Sequence, residues 1–131
     1  MNSLSFKQLR KTNLKRAKRW HPKGLDDWSV NDWLVAFGGE AGEALNAGKK
    51  YRRIVSSVQQ NGNVPANVKE AKENIMKEIA DTLIYADLVA ARLGMSLEDA
   101  IIEKFNEISI RENMPDRLGR FTESKSKRIE K

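Results

Sequence analysis

Two pairs of acidic residues stand at helical spacing in otherwise apolar segments. Glu40 and Glu43 form the first pair, and Glu78 and Asp81 form the second. Members of each pair are three positions apart, so a helix would place both carboxylates on one face. Four carboxylates brought together in the folded chain could share a cation, which makes these pairs the first candidates for chemistry.

The residues around the pairs predict that the acids are buried. At about 100° per residue, Trp33, Phe37, Glu40 and Ala44 lie within roughly 60° of one another, so Glu40 falls inside an apolar stripe. The second pair opens the largely apolar segment 79–91. Carboxylates rarely occupy such positions alone, and two of them about 4 Å apart repel by roughly 4 kcal/mol at an effective dielectric constant of 20. A shared cation would remove that repulsion.

The available ligand types favour a hard divalent cation. The chain has no cysteine and one histidine, His21, which stands in a predicted loop. An oxygen-only site selects Mg²⁺, with Mn²⁺ as a possible substitute, over zinc. Di-iron bundles use Glu-x-x-His on two helices, which this sequence lacks. Since Mg²⁺ usually binds through carboxylates together with substrate phosphates, a phosphorylated substrate and phosphoryl or nucleotidyl chemistry are expected.

Length and composition predict one globular domain. The chain has 131 residues, of which 40% are hydrophobic and 32% charged. We expect a single all-α domain over residues 1–113 and a polar tail over 114–131. No apolar run approaches 18 residues and the N-terminal residues are polar, so neither a membrane span nor a signal peptide is expected. A cytoplasmic location is the corresponding prediction.

Charge is distributed unevenly along the chain. The formal net charge is +6, yet residues 1–25 hold eight basic side chains and no acid, while residues 26–113 hold ten basic and fifteen acidic ones. A basic N-terminal segment can attract nucleic acid. The acidic centre repels phosphate unless a metal intervenes, so nucleic-acid binding is expected to be at most weak and non-specific.

Apolar periodicity predicts an all-α fold, a bundle of about four helices. They are expected over residues 5–20, from 30 to about 53, from soon after Pro65 to Gly94, and from Ser96 to about 113. Ser29 with Asp32 resembles a capping box, and residues 56–67 form the clearest loop. Helices with such wide apolar faces would bury them better against a second copy, so a homo-oligomer, a dimer or a tetramer, is expected.

Three ordered groups of motifs resemble the MazG-like, all-α nucleoside triphosphate pyrophosphohydrolase family. The similarity covers roughly Trp20 to Arg111, and the ordered set is more specific than any one motif. The motifs are Trp28-Ser29-x-x-Asp32-Trp33 with Gly39-Glu40-x-Gly42-Glu43-Ala44-x-Asn46 and Lys49-Lys50-x-x-Arg53, then Glu78-Ile79-Ala80-Asp81-Thr82-Leu83-Ile84-Tyr85-x-Asp87-Leu88, then Lys104-Phe105-Asn106-Glu107-Ile108-Ser109.

The resemblance implies hydrolysis of a (d)NTP to the (d)NMP and pyrophosphate, in control or house-cleaning of the nucleotide pool. It implies Mg²⁺ on Glu40, Glu43, Glu78 and Asp81. The expected mechanism is attack of a metal-activated water at the α-phosphate, with Glu40 or Glu43 helping to remove the proton. Base and sugar preference stay open, because they depend on pocket shape.

Six further residues are candidates for substrate contacts: Tyr85, Lys104, Lys50, Arg53, Trp28 and Asn106. The tyrosine lies four positions after Asp81 and corresponds to a pocket tyrosine in the resembling family, with a core position as the alternative. Trp28 offers an aromatic surface for a base, whereas Trp33 is expected to be structural. Lys104 and Asn106 are about 200° apart on a helix, so one chain cannot easily bring both to one phosphate.

Two other functions remain open from the sequence. One is a basic helical nucleic-acid-binding protein with a structural metal site, which would use residues 7–23 as its surface. The other is a helical assembly module whose metal is purely structural. The first explains the basic N-terminal segment but gives the acidic pairs no part in binding, since acids repel phosphate unless a metal intervenes.

Overall fold

The computed structural model describes residues 3–61 and 67–119, with residues 57–61 described by their backbone alone. All regular structure in these ranges is helical, which confirms the predicted all-α class and its four helices. The helices are α1 (Phe6–Trp20), α2 (Val30–Asn61), α3 (Val68–Arg92) and α4 (Leu97–Arg111), with a short 3₁₀ helix over Gly24–Asp27 between α1 and α2.

The second helix is longer than predicted. It was expected to end near Arg53, with a loop from residue 56, but α2 continues through Asn61. The loop prediction is therefore wrong for residues 56–61. The segment after Arg53 contains neither glycine nor proline before Gly62, so no residue stops the helix earlier. Residues 62–66 of the predicted loop lie outside the described residues, and Asn67 directly precedes α3.

Two predicted helix starts are confirmed in detail. The Asp32 backbone N–H donates to Ser29 Oγ at 3.1 Å, and the Ser29 N–H donates to Asp32 Oδ2 at 2.9 Å, which is a reciprocal capping box. Hydrogen bonds from the Ser29 hydroxyl, and then from its backbone, lower the pKa of Asp32. The Asp99 N–H donates to Ser96 Oγ at 3.1 Å. Gly94, the predicted stop after the third helix, has a positive φ of 68°.

Residues 1–95 form one compact unit, in which α3 packs against both α1 and α2. Its apolar centre contains Trp33, Ala17 and Leu88, and only 2% of Trp33 is exposed. The Trp33 Nε1–H donates to the Leu25 carbonyl at 3.0 Å, which satisfies the buried indole and ties the 3₁₀ helix to α2. The expected structural role of Trp33 is confirmed.

A buried ionic network joins α1 to α3. Asp87 is 1% exposed. Its Oδ1 accepts from Arg10 Nε at 3.0 Å and its Oδ2 accepts from Asn13 Nδ2 at 3.0 Å. Asn13 also donates to the Ile84 carbonyl at 3.2 Å, and Arg10 to the Met95 carbonyl at 2.8 Å. Both carboxylate oxygens are therefore satisfied, and α1 is held in one position on α3.

Residues 96–131 form a second unit, described as far as Gly119. Asn106 of α4 is buried there. Its Oδ1 accepts from the Leu118 N–H at 2.8 Å and its Nδ2 donates to the Leu118 carbonyl at 3.1 Å. This pair of hydrogen bonds fixes the chain that follows α4 against the helix.

Several large apolar side chains of α2 and α3 lie at the surface. Val35 and Leu45 are 76% and 73% exposed, and Met76 and Leu83 are exposed as well. No helix among the described residues combines the length and the apolar character needed to cross a membrane. The helices that carry these exposed apolar residues also carry many charged ones.

Candidate functional site

The two predicted acidic pairs meet between α2 and α3. Glu40 of α2 and Glu78 and Asp81 of α3 each offer a carboxylate oxygen, and these three oxygens lie within 4.8 Å of one another. Glu43 lies next to Glu78, with its carboxylate near enough to accept a hydrogen bond if Glu78 is protonated. The i, i+3 spacing on each helix thus gathers the four acids in one cluster.

Burial of the four acids differs from the expectation. Glu40 and Glu78 are half-buried, whereas Glu43 and Asp81 are exposed, so the prediction of burial is wrong for these two. Leu83, two positions further along α3 and therefore on roughly the opposite side of the helix, is also exposed, at 47%.

One carboxylate oxygen of Glu78 lacks a hydrogen-bond partner among the described residues. This oxygen, Oε2, is buried. Desolvation by burial raises the pKa of Glu78, and the close approach of the Glu43 carboxylate and the negative charges of Glu43, Asp81 and Glu40 raise it further. A cation bound here would favour the ionised form, because its charge offsets these effects.

Glu40 responds to the same surroundings. Desolvation is the main cause that raises its pKa, followed by the charges of Glu43 and Asp81. The ionised forms of Glu40 and Glu78, which come from different helices, are therefore both disfavoured by burial and by the neighbouring negative charges. A shared cation would reduce this cost.

The cluster fits a divalent cation that prefers oxygen. The three converging ligand atoms are carboxylate oxygens from two helices. The Oε2 of Glu78 is a buried acceptor that receives no hydrogen bond from the part of the chain that the structure describes. Oxygen ligands of this kind suit Mg²⁺ or Mn²⁺. His21, the one histidine in the sequence, instead packs against Trp28 and Trp33 at ring-centroid distances of 4.9 and 5.5 Å.

Without a metal, the acidic cluster is expected to lower the stability of the folded chain as the pH rises. The raised pKa values of Glu40 and Glu78 mean that the folded state holds protons more tightly than the unfolded state. The stabilisation that these two protonated groups contribute is therefore complete below the ordinary pKa of 4.5, and it is lost as the pH rises through the raised values. In thermal melts with a chelator, the melting temperature should fall less with rising pH for Glu78→Gln than for the parent chain.

Addition of Mg²⁺ provides the control for this pH effect. A cation that binds only the folded, ionised cluster should raise the melting temperature of the parent chain at neutral pH, since binding to the native state stabilises it. The Glu78→Gln variant should gain less. Identical pH profiles for both proteins, with or without Mg²⁺, would remove Glu78 from the cluster's electrostatics.

A groove of about 590 Å³ runs from the acidic cluster along α2 and α3. Ten of the described residues line it: Glu43, Asn46, Ala47, Lys50, Ile54, Asn67, Glu70, Ala71, Asn74 and Glu78. The structure thus brings the predicted Lys50 to the same groove as two of the acids. Arg53 is exposed on α2 and does not line this groove.

Three asparagines of the groove were not predicted as site residues. Asn46 follows Glu43 by three positions and Asn74 precedes Glu78 by four, so helical spacing from the acids could have identified both. Asn67 stands just before the start of α3, where no such spacing from an acid applies. The groove therefore offers amide groups as well as charges to a ligand.

Two aromatic candidates lie in the packed core region of the first unit. The Trp28 ring is 4.5 Å from the Trp33 ring, and the Trp28 carbonyl accepts from Arg92 Nε at 3.0 Å. Tyr85 is half-buried, with its ring 6.4 Å from Trp33. Trp28 also borders a shallow surface depression with Val35. Both aromatic rings have packing partners that the sequence pattern does not reveal.

The two candidates on α4, Lys104 and Asn106, form hydrogen bonds within the second unit. Lys104 Nζ donates to Glu107 Oε1 at 2.7 Å, and this hydrogen bond, followed by the charge of Lys104, lowers the pKa of Glu107. Asn106 uses its amide on Leu118. The opposite placement of Lys104, exposed, and Asn106, buried, agrees with the roughly 200° that separate them on a helix.

Comparisons with protein-family models, with curated proteins and with solved structures found no match to this chain. The site itself combines four acids from two helices with an adjacent groove that contains Lys50. It also contains a buried oxygen of Glu78 that has no hydrogen-bond partner within residues 3–61 and 67–119.

Proposed function

We propose that this chain is a Mg²⁺-dependent nucleotide pyrophosphohydrolase, which converts a (d)NTP to the (d)NMP and pyrophosphate. The observation that carries the proposal is the convergence of Glu40, Glu78 and Asp81 from two helices, together with the buried Oε2 of Glu78, which has no hydrogen-bond partner among the described residues. The ordered motifs that resemble MazG-like enzymes support the same activity. A role in controlling or cleaning the cytoplasmic nucleotide pool follows from that activity.

Within this proposal, Glu40, Glu78 and Asp81 hold the cation, with Glu43 beside them. When bound, Mg²⁺ supplies charge neutralisation for the phosphates and lowers the pKa of water. The cluster's carboxylates fix the position of that charge, because they come from two helices that pack against each other. Rigid placement of this kind is what electrostatic stabilisation of a transition state requires.

Glu43 is the better candidate for the proton acceptor. It lies outside the three converging oxygens, is exposed, and lines the groove. A carboxylate that is free of metal contacts and faces the substrate can accept the proton of the attacking water. Glu40, the other acid considered for this role, belongs to the three.

Lys50 would contact the phosphates from the groove. Its ammonium group offers three donors and a positive charge on the same side of α2 as Glu43, seven positions away. The amides of Asn46 and Asn74 add neutral donors. Together these groups can bind an anion whose charge the cation only partly neutralises.

We also propose that the chain works as a homo-oligomer of at least two copies. Val35, Leu45 and Met76 present large apolar side chains to solvent on α2 and α3, and apolar surface of this kind is commonly buried between subunits. Sedimentation of the purified chain should give the mass of a dimer or a tetramer, and a monomer at micromolar concentration would reject the assembly.

An activity panel tests the proposed function. The purified chain is incubated with Mg²⁺ and each common NTP and dNTP, and products are separated by ion-exchange chromatography. Release of a monophosphate together with pyrophosphate from at least one nucleotide is expected, and a chelator should stop it. No turnover of any triphosphate would reject the function, and release of orthophosphate with a diphosphate would replace it by another.

A further inference from the structure

The solvent-facing side of α1 carries several basic residues and no acid. The helix Phe6–Trp20 contains no acidic residue, and its exposed basic side chains are Lys7, Lys11, Lys15, Arg16, Lys18 and Arg19. None of these residues takes part in the candidate metal site or its groove. The helix therefore presents a charged surface that the proposed hydrolase function does not use.

These six cations have no carboxylate partner among the described residues. The one ion pair of α1 in that part of the chain joins Arg10 to Asp87, on the side that packs against α3. Elsewhere in the chain, exposed basic residues such as Lys104 and Arg111 do pair with neighbouring acids. The outer charge of α1 is thus left to an external anion or to solvent.

The lysines form a stripe with a defined length. Lys7, Lys11, Lys15 and Lys18 lie within about 80° of one another around the helix and span about 16 Å along its axis. Duplex DNA carries one negative charge per roughly 1.7 Å of its axis. A stripe of this length therefore faces several phosphates at once.

The stripe is also held in place before any ligand binds. Arg10 and Asn13 fix α1 to the buried Asp87 of α3. A charged surface on an already ordered helix avoids the cost of ordering that a disordered basic segment would have to meet on binding. Its cations keep their own flexibility, which suits contacts to a repeating backbone.

We propose that this face of α1 is a docking surface for the phosphate backbone of nucleic acid. A membrane surface fits less well, because a helix that lies in a membrane inserts its apolar side, and the side of α1 that holds Ala17 is packed against α3. Trp20, whose ring centroid is 4.8 Å from the Arg16 guanidinium, lies about 140° or more around the helix from each of the four lysines, so it is not part of the proposed surface.

Titration at several salt concentrations tests the docking surface. A fluorescently labelled 20-nucleotide single strand and its duplex are titrated with the full chain between 50 and 200 mM NaCl, with anisotropy as the signal. With about four phosphates contacted, the logarithm of the association constant should fall against the logarithm of salt with a slope of about −3.6 for the duplex and about −2.8 for the single strand. Sequence should have little effect.

A pair of matched variants assigns that binding to α1. Lys7→Gln/Lys11→Gln/Lys15→Gln should weaken binding by about 10- to 1,000-fold at 100 mM salt and reduce the slope by about 2 to 3. The control removes the same charge from α3 with Lys69→Gln/Lys72→Gln/Lys77→Gln, and it should bind within about threefold of the parent. Circular dichroism should show both variants folded.

Several results would overturn the docking surface. These are no binding at 50 mM salt, binding that does not depend on salt, and an equal loss in both triple variants, which would indicate net charge alone. Binding to phosphatidylserine vesicles without binding to DNA would assign the face to a membrane instead. The nucleic-acid assay contains no triphosphate, so its outcome is independent of the proposed hydrolase activity.

Discussion

Replacing Asp81 by asparagine is expected to lower kcat by at least about 10²-fold, because the change removes one of the negatively charged ligands of the proposed Mg²⁺ site. Asp81 supplies one of the three oxygens that converge within 4.8 Å. The substitution keeps the size of the side chain, and the residue is exposed, so the fold should not change. Circular dichroism and calorimetric titration with Mg²⁺ would separate loss of the cation from loss of structure.

Glu73→Gln is the matched control on the same helix. Glu73 is exposed, pairs with Lys69 at 3.8 Å, and lies outside both the cluster and the groove. This control should keep the activity and the Mg²⁺ affinity of the parent. Full turnover by the Asp81→Asn variant would remove this residue from the metal site.

The second large effect concerns stability rather than catalysis. Asp87→Ala should destabilise the chain by about 3 to 5 kcal/mol, because it breaks a buried charge pair by removing one partner. Arg10 would lose its carboxylate, and Asn13 would lose one of its two acceptors. Urea unfolding monitored by circular dichroism at one pH would measure the difference.

Asp26→Ala makes the same substitution in an exposed pair. Asp26 lies 3.9 Å from Arg92, and its side chain is 79% exposed, so this change should cost less than about 1 kcal/mol. If both variants unfold at the same urea concentration, the buried network does not hold α1 to α3 as described.

Local signals in the sequence predicted the framework well. The Ser29–Asp32 box and the Ser96 cap act over three positions, so the chain within one turn contains all the information that they need. The same holds for the acidic pairs, since i, i+3 spacing fixes which carboxylates share a face. Packing of α2 against α3 then brings the two pairs together.

Features that depend on distant residues could not be predicted in this way. Asp87 lies six positions after Asp81 in the same motif, and sequence alone does not distinguish a buried structural acid from a metal ligand. Its role depends on Arg10, 77 positions away. Likewise, the engagement of Asn106 depends on Leu118, which follows α4.

Exposure of the acids was the other point that periodicity could not decide. An apolar stripe shows that a helical face is suited to burial, but it does not say which element covers it. Leu83 and Met76 share one face of α3 and are exposed in the single chain, and Asp81 is exposed on another side of the same helix. A second copy of the chain would be the element that covers such faces, as the proposed assembly requires.

Isotope labelling of the products tests the central claim most directly. The chain hydrolyses its best triphosphate in H₂¹⁸O with Mg²⁺, and mass spectrometry locates the label. Attack at the α-phosphorus predicts one ¹⁸O atom in the monophosphate and unlabelled pyrophosphate. Label in orthophosphate, with a diphosphate as the other product, would contradict the proposed reaction, as would the absence of any hydrolysis.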